Sequence, residues 1–121
     1  MPEREPLPDT RRSITHRARI ETAQGHLSIY ITVGFYEDGR IAEVFINAGK
    51  LGSTVRGLMD DLARLLSFAL QYGLPADDLF ERMTGANYPP QGTTSNEDIK
   101  ACTSVTDYLF RFLALQVPDP E

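Results

Sequence analysis

The sequence predicts an α+β domain in which a three-stranded antiparallel β-meander packs against one long and two shorter α-helices. Three observations lead to this fold class. Apolar and polar residues alternate with period two through much of residues 14–46, which is typical of strands. Apolar residues recur at three- and four-residue steps over 54–72, which is typical of a helix. The 121 residues are 41% hydrophobic and 24% charged, as in an ordinary globular domain.

The predicted strands are separated by turn signals. The first strand begins at Ile14, the second contains the alternation over 27–33, and the third covers 41–47. Gln24-Gly25 separates the first pair, and Asp38-Gly39 separates the second pair, since Asp-Gly favours the positive φ angles of a tight hairpin. A sheet with one apolar face needs a helical layer to cover it.

The long helix is predicted over 54–72, with Ser53 as its N-cap and Gly73 as its stop signal. Its apolar residues are expected to form one stripe against the sheet. They are Val55, Leu58, Met59, Leu62, Leu65, Leu66, Ala69 and Leu70. A short helix is expected from Pro75, a long polar loop over 84–98, and a last helix over about 105–116.

Composition divides the chain into three parts. Residues 1–13 contain three prolines and many charges, and are predicted to form an extended or disordered arm. Residues 14–117 form the single α+β domain, and residues 118–121 form a tail. An open edge of the three-stranded sheet would invite pairing with another copy, so a homo-oligomer is expected.

Charge and hydropathy exclude several classes of protein. The net charge of −5 argues against DNA or RNA binding, because phosphate neutralisation is the main source of such affinity. No apolar run approaches the length of a membrane span, and the N-terminus lacks the apolar stretch of a secretory signal. We therefore expect a cytoplasmic protein without membrane contacts. The single cysteine, Cys102, cannot form an internal disulfide.

The start of the long helix is the first candidate binding site. It combines a glycine turn, two hydroxyl groups and two cations with the unpaired N–H groups of a helix start, which can hold an anion. The residues are Lys50, Gly52, Ser53, Thr54 and Arg56. A phosphate or carboxylate site and simple helix capping both explain this segment.

A second candidate group lies later in the chain. Ser104 and Asp107 fit a capping box at the start of the last helix, which explains them without a ligand, although this helix start can also hold phosphate. Tyr88, in the polar loop, is available to stack on a base. In a nucleotide site, this loop is expected to line the same pocket as the start of the long helix.

Catalytic chemistry has no clear sequence signal. His16 and His26 lack the spacing of a metal site, and no nucleophile elbow precedes a helix. Adjacent acids such as Asp60 and Asp61 point to different helix faces. We therefore predict no catalytic residue and no metal ligand, and whether the chain is an enzyme stays open, with a non-catalytic role favoured.

Five segments in the same order carry a resemblance to a known family. They are Leu7–His16, Tyr30–Arg40, Gly52–Asp60, Ala69–Pro75 and Asp107–Arg111. Together they resemble the C-terminal accessory domain of adenosylcobalamin-dependent (class II) ribonucleotide reductases, also called the TSCPD domain. The likeness runs from about Leu7 to Leu115. At the position of the naming motif, this chain has Thr103-Ser104-Val105-Thr106-Asp107, without the cysteine and proline.

The resemblance implies a non-catalytic accessory or regulatory domain related to ribonucleotide reductase. Such a domain would dock on a reductase subunit or bind a nucleotide, with its phosphate at a helix start. The radical cysteines and the adenosylcobalamin site of those enzymes lie in a large barrel that 121 residues cannot contain, so we expect this chain alone to bind no cofactor. The alternative is an oligomeric nucleotide-binding protein that sequesters a signal outside the reductase context. A purely structural oligomerisation module is a third hypothesis.

Overall fold

A computed structural model describes residues 3–118 and contains one five-stranded sheet and three helices within them. The elements are β1 (Ser13–Thr22), β2 (Gly25–Phe35), β3 (Ile41–Asn47), α1 (Ser53–Gln71), α2 (Ala76–Met83), β4 (Gly92–Thr94), β5 (Ala101–Cys102) and α3 (Val105–Leu115). The α+β class is confirmed, while the number of strands is larger than the predicted three. Most of the predicted tail, residues 119–121, lies outside the described residues.

The sheet has the order β3-β2-β1-β4-β5, and all of its pairs are antiparallel. The meander β1-β2-β3 is as predicted, with Gly39 in its second turn at a φ of +92°. The segment 84–98 was expected to be loop throughout, but it contains β4, which pairs with the end of β1 at Ile20 and Glu21. A strand of three residues is too short to show the alternation that identifies strands in a sequence.

The core lies between one face of the sheet and the helices. The buried residues of β1 and β2 alternate with exposed ones, as a half-buried sheet requires. Ile20, Ile29 and Ile31 are fully buried on this face, and α3 contributes Tyr108 and Leu109 to the same core.

The outer edge of β3 is covered by α1. The Ser67 hydroxyl accepts from the Val44 N–H at 2.9 Å and lies 3.2 Å from the Val44 carbonyl, and the Gln71 side-chain amide donates to the Ala42 carbonyl at 3.0 Å. These are edge groups that would otherwise be open to another strand. The predicted open edge is therefore closed at these two residues.

The apolar surface of α1 is wider than the single stripe that we predicted. Met59, Leu66 and Leu70 face the core and are buried, together with Ala63. In contrast, Leu58 and Leu65 are among the most exposed large apolar residues of the described chain. The prediction of one buried stripe was therefore wrong, because the apolar surface of this helix extends beyond the core contact, with Leu62 at its margin and Leu58 and Leu65 exposed.

The N-terminal arm lies along the domain. From residue 3 to residue 12 it contains no helix or strand. The Glu5 N–H donates to the Gln71 carbonyl at 2.8 Å, and the Tyr36 hydroxyl donates to the Glu5 carbonyl at 3.0 Å. The Arg40 guanidinium makes two bonds to the Glu5 carboxylate, at 2.8 and 3.0 Å. These contacts connect the arm to both α1 and the β2–β3 turn.

Gly57 offers a direct test of helix energetics. It lies inside α1 with no atom within 4 Å of the position of an added Cβ. We expect Gly57→Ala to raise the free energy of unfolding by about 1 kcal/mol, because alanine loses less backbone entropy in a helix. Urea denaturation followed by circular dichroism measures this change, and a lower stability would show that the site tolerates no side chain.

Candidate anion-binding site

The start of α1 is open and uncapped. The helix begins at Ser53 rather than after it, so the prediction of Ser53 as N-cap was wrong. Gly52 is the N-cap and has no side chain to accept a hydrogen bond. The first intrahelical bond runs from the Arg56 N–H to the Gly52 carbonyl at 2.9 Å. Within residues 3–118, no side chain caps the N–H groups before it.

Two cations lie close in sequence to these N–H groups, Lys50 before the helix start and Arg56 in the first turn. The first turn contains no acidic residue, and the helix dipole adds a partial positive charge there. Lys50 and Arg56 are exposed, and neither forms an ion pair in the described part of the chain. Uncapped amides beside unpaired cations are the arrangement that binds phosphate or carboxylate.

A surface hollow of about 480 Å³ adjoins the helix start. Its lining consists of Ile46, Asn47, Ala48, Ser53, Arg56, Gly57 and Asp60. Ser53 and Arg56 thus face one concave surface together with the end of β3. Asp60 places a carboxylate on the same hollow, four residues after Arg56, and this charge would oppose an anion.

The second predicted group lies elsewhere in the fold. Ser104 and Asp107 are at the start of α3, which contacts α2 and β5, whereas α1 lies against β3 at the opposite edge of the sheet. The Tyr88 hydroxyl is bonded to the Thr106 hydroxyl at 2.6 Å, so Tyr88 also belongs to the α3 end. The structure therefore does not bring Tyr88 together with the start of α1 in one site.

The side chains of Ser104 and Asp107 already accept hydrogen bonds from other groups of the protein. Both are buried, and the Ser104 hydroxyl caps α3 by accepting from the Asp107 N–H at 2.9 Å. The Asp107 carboxylate accepts from the Gly85 N–H at 2.7 Å and from the Thr103 N–H at 3.1 Å. Burial raises the pKa of this carboxyl, but the two N–H bonds and the charge of Arg111 outweigh it, so its pKa lies below the ordinary value. A ligand role for either residue stays a prediction.

A polar cluster that the sequence did not reveal lies between the core face of β1 and α3. The His16 Nε2 is 2.7 Å from the Tyr108 hydroxyl, which also accepts from the Asn96 side-chain amide at 3.0 Å. Because Asn96 donates to this hydroxyl, the hydroxyl proton is free to point at His16, which then accepts it as a neutral ring. Burial lowers the pKa of His16 in agreement with this. The separation of 92 residues between His16 and Tyr108 hides the pair from sequence patterns.

A second hollow, of about 620 Å³, lies between the arm, β3 and α1. Arg4, Arg11 and Arg64 line it beside Phe45 and Phe68. Each arginine already has a partner in the protein: Gln71 for Arg4, Glu43 for Arg11 and Asp61 for Arg64. Arg11 and Arg64 are neutralised by carboxylates and Arg4 is held by a neutral amide, whereas Lys50 and Arg56 form no ion pair in the described chain, so the α1 start remains the better candidate for an anion.

Other reactive groups in the described part of the chain show no assembled centre. Within the described residues, no three His, Cys, Asp or Glu side chains come together in a way that could hold a metal ion. Cys102 is buried, and burial raises the pKa of its thiol, which disfavours the reactive thiolate. In residues 3–118, no helix is both long and apolar enough to cross a bilayer.

Fold and site together define a small α+β domain with an exposed, uncapped helix start and no assembled catalytic centre among the described residues. Residues 3–117 match the TSCPD domain family, and the chain belongs to that family. The resemblance noted in the sequence is thereby confirmed.

Curated relatives carry the name vitamin B12-dependent ribonucleotide reductase. The protein from Rhodopirellula baltica is 44% identical over 114 residues, which are 94% of this chain and 11% of the relative. The protein from Bradyrhizobium diazoefficiens is 39% identical over 116 residues, 95% of this chain and 9% of the relative. This chain thus spans about a tenth of the length of these relatives. No solved structure matches it.

Proposed function

We propose that this chain is a non-catalytic accessory module of a vitamin B12-dependent ribonucleotide reductase and holds the phosphate of a nucleotide at the start of α1. The uncapped first turn of α1, with Lys50 and Arg56 beside it, is the observation that supports phosphate binding. The family and the relatives' names support the reductase as the partner. The phosphate would accept from the N–H groups of the first turn while the two side chains neutralise its charge.

Cobalamin itself does not fit the described residues. The hollows at the α1 start, beside His16 and below the arm hold about 480, 610 and 620 Å³. Volumes of this size suit a drug-sized ligand, and a cobalamin is several times larger than that. The Nε2 of His16 is already bonded to Tyr108. We therefore propose no cobalamin chemistry for this chain and expect that cofactor to bind to the reductase itself.

The phosphate site predicts a specific loss of nucleotide binding. Isothermal calorimetry of the full chain with ATP and dATP is expected to show binding that weakens at least tenfold in the double variant Lys50→Ala/Arg56→Ala, because both neutralising charges are removed. Asp60→Asn is expected to strengthen binding, since it removes the opposing carboxylate from the hollow.

Lys100→Ala is the matched control, because Lys100 is exposed and lies between β4 and β5, away from α1. It removes one positive charge and should leave nucleotide affinity unchanged. Equal weakening by Lys100→Ala would mean that only net charge matters. No heat with either nucleotide at millimolar concentration would refute the phosphate site.

Docking on a reductase is tested separately. The tagged chain is expected to capture the purified vitamin B12-dependent reductase of its own organism, and its nucleotide-site variants should retain that capture. Failure to capture the enzyme, with nucleotide binding intact, would overturn the accessory role and favour a nucleotide-binding protein outside the reductase context.

A further inference from the structure

The exposed stripe of α1 has the spacing of a helix–helix seam. Six apolar residues follow one another at steps of three, four, three, four and three: Val55, Leu58, Leu62, Leu65, Ala69 and Tyr72. This is the heptad pattern of a coiled coil, whose mean period of 3.5 residues keeps the seam directed at a neighbouring helix. Met59, Leu66 and Leu70 supply the contact with the core, and Leu62 of the stripe packs partly against it, so the exposed members Val55, Leu58, Leu65 and Tyr72 are the ones left without a partner in the described chain.

The seam is self-complementary when two helices run antiparallel. The steps read the same in both directions about a midpoint between residues 63 and 64. A two-fold axis there places Leu62 against the partner's Leu65, Leu58 against the partner's Ala69 and Val55 against the partner's Tyr72. Leucine then faces leucine or alanine, and valine faces tyrosine. The dipoles of the two antiparallel helices attract each other.

The exposed area is sufficient for a reversible contact. Val55, Leu58, Leu65 and Tyr72, with Phe68 on the flank, are between 41 and 68% exposed. At about 200 Å² for a large side chain, they offer on the order of 500 Å² per chain. A pair would bury about 1,000 Å², which is near the lower limit of specific interfaces and indicates a concentration-dependent dimer.

Parts of both sheet edges are hydrogen-bonded within the chain, which favours α1 over an edge strand as the surface that contacts a second copy. The edge of β3 is covered by Ser67 and Gln71. At the opposite edge, β5 has only two residues, and the Arg111 guanidinium donates to its Ala101 carbonyl at 2.7 Å. Edge-to-edge pairing, the arrangement expected from the sequence, is therefore blocked at Ala42 and Val44 of β3 and at Ala101 of β5.

We infer that α1 is the interface of an antiparallel homodimer, in which the stripe of Val55, Leu58, Leu62, Leu65, Ala69 and Tyr72 packs on the same stripe of a second copy. The dimer does not depend on nucleotide binding or on a reductase. In a dimer of this geometry, the two predicted anion sites lie at opposite ends of the helix pair, since each adjoins the start of its own α1.

Sedimentation velocity of the full chain over a hundredfold range of concentration tests the dimer. We expect a reversible monomer–dimer equilibrium, and Leu65→Asp should raise its dissociation constant at least tenfold by burying charges in the seam. Leu115→Asp is the matched control, because Leu115 is an exposed leucine at the end of α3. Both positions are exposed, so neither substitution disturbs the core.

The orientation is tested with a spin label on Thr54→Cys, since Cys102 is buried and labels poorly. Antiparallel helices separate the two labels by about 28 Å along the axis, whereas parallel helices bring them to about the helix spacing of 10 Å. A short distance, a monomer at every concentration, or a dimer insensitive to Leu65→Asp would each overturn the inference. Loss of reductase capture by Leu65→Asp in a chain that is otherwise monomeric would assign the stripe to the enzyme instead.

Discussion

Replacing Gly92 with alanine is expected to lower the free energy of unfolding by about 4 kcal/mol or to prevent stable folding. A Cβ at this position would lie 1.7 Å from the carbonyl oxygen of Glu21, far inside any permitted contact. The atom that blocks the added Cβ belongs to the backbone of Glu21, which pairs with Thr93 in the β1–β4 ladder. The added carbon can be accommodated only if β4 moves away from β1. Thermal or urea unfolding of Gly92→Ala measures the loss.

Gly57→Ala serves as its control, since the same substitution there meets no neighbouring atom. Gly57 lies in a helix and Gly92 in a strand, and only at Gly92 does the added Cβ meet backbone, so a large loss at Gly92 beside a gain at Gly57 would support the β1–β4 contact as the cause. Hydrogen exchange of the full chain adds a local readout, because the amides of β4 and β5 should lose protection first. Unchanged stability in Gly92→Ala would show that β4 does not pair with β1 as described.

Asp107→Ala is expected to cost about 3 kcal/mol of folding free energy. The buried carboxylate accepts from the backbone N–H groups of Gly85 and Thr103, and its removal leaves both donors without an acceptor. These bonds tie the loop after α2 to the start of α3. Asp61→Ala is the control, since that carboxylate is exposed and is paired only with Arg64. Chemical denaturation of both variants measures the difference.

The same carboxylate makes stability depend on pH. The folded pKa of Asp107 is lower than its ordinary value of 3.8, so the unfolded chain binds the proton more readily. Its contribution to stability is therefore complete above about pH 4 and is lost as the pH falls through the folded pKa. Asp107→Asn should remove this part of the acid dependence. If the free energy of unfolding of the wild type and of Asp107→Asn fell with equal slope below pH 4, the acid dependence would not come from Asp107.

The meander and the long helix follow closely from the sequence. The third strand was predicted over 41–47 and is observed there, and Gly73 takes the left-handed conformation, at a φ of +98°, that its place after α1 predicted. Hydrophobic periodicity and turn-forming residues are local features of the sequence, and the meander and the long helix depend mainly on them. β4 and β5 were missed because strands of three and two residues are defined by their partners, the end of β1 for β4 and β4 for β5, rather than by their own pattern.

The candidate site was only partly predictable. The sequence located a helix start rich in cations, but not that Gly52 would leave it uncapped. It could not show that Tyr88 bonds to Thr106 at the opposite edge of the sheet, since that contact depends on the tertiary fold. Periodicity also could not separate the buried from the exposed apolar residues of α1, because both have helical spacing and only packing decides which of them meet the sheet.

The closure of β3 by Ser67 and Gln71 has an evolutionary consequence. Part of the sheet edge is hydrogen-bonded to a helix of the same chain, so the domain needs no strand from another protein at that point. The same domain can therefore occur in different genes without losing these hydrogen bonds. In the Rhodopirellula baltica relative, a comparable unit makes up 11% of a much longer polypeptide. At Ala42 and Val44 the edge therefore needs no neighbouring strand, whether such a unit stands alone or lies within a longer polypeptide.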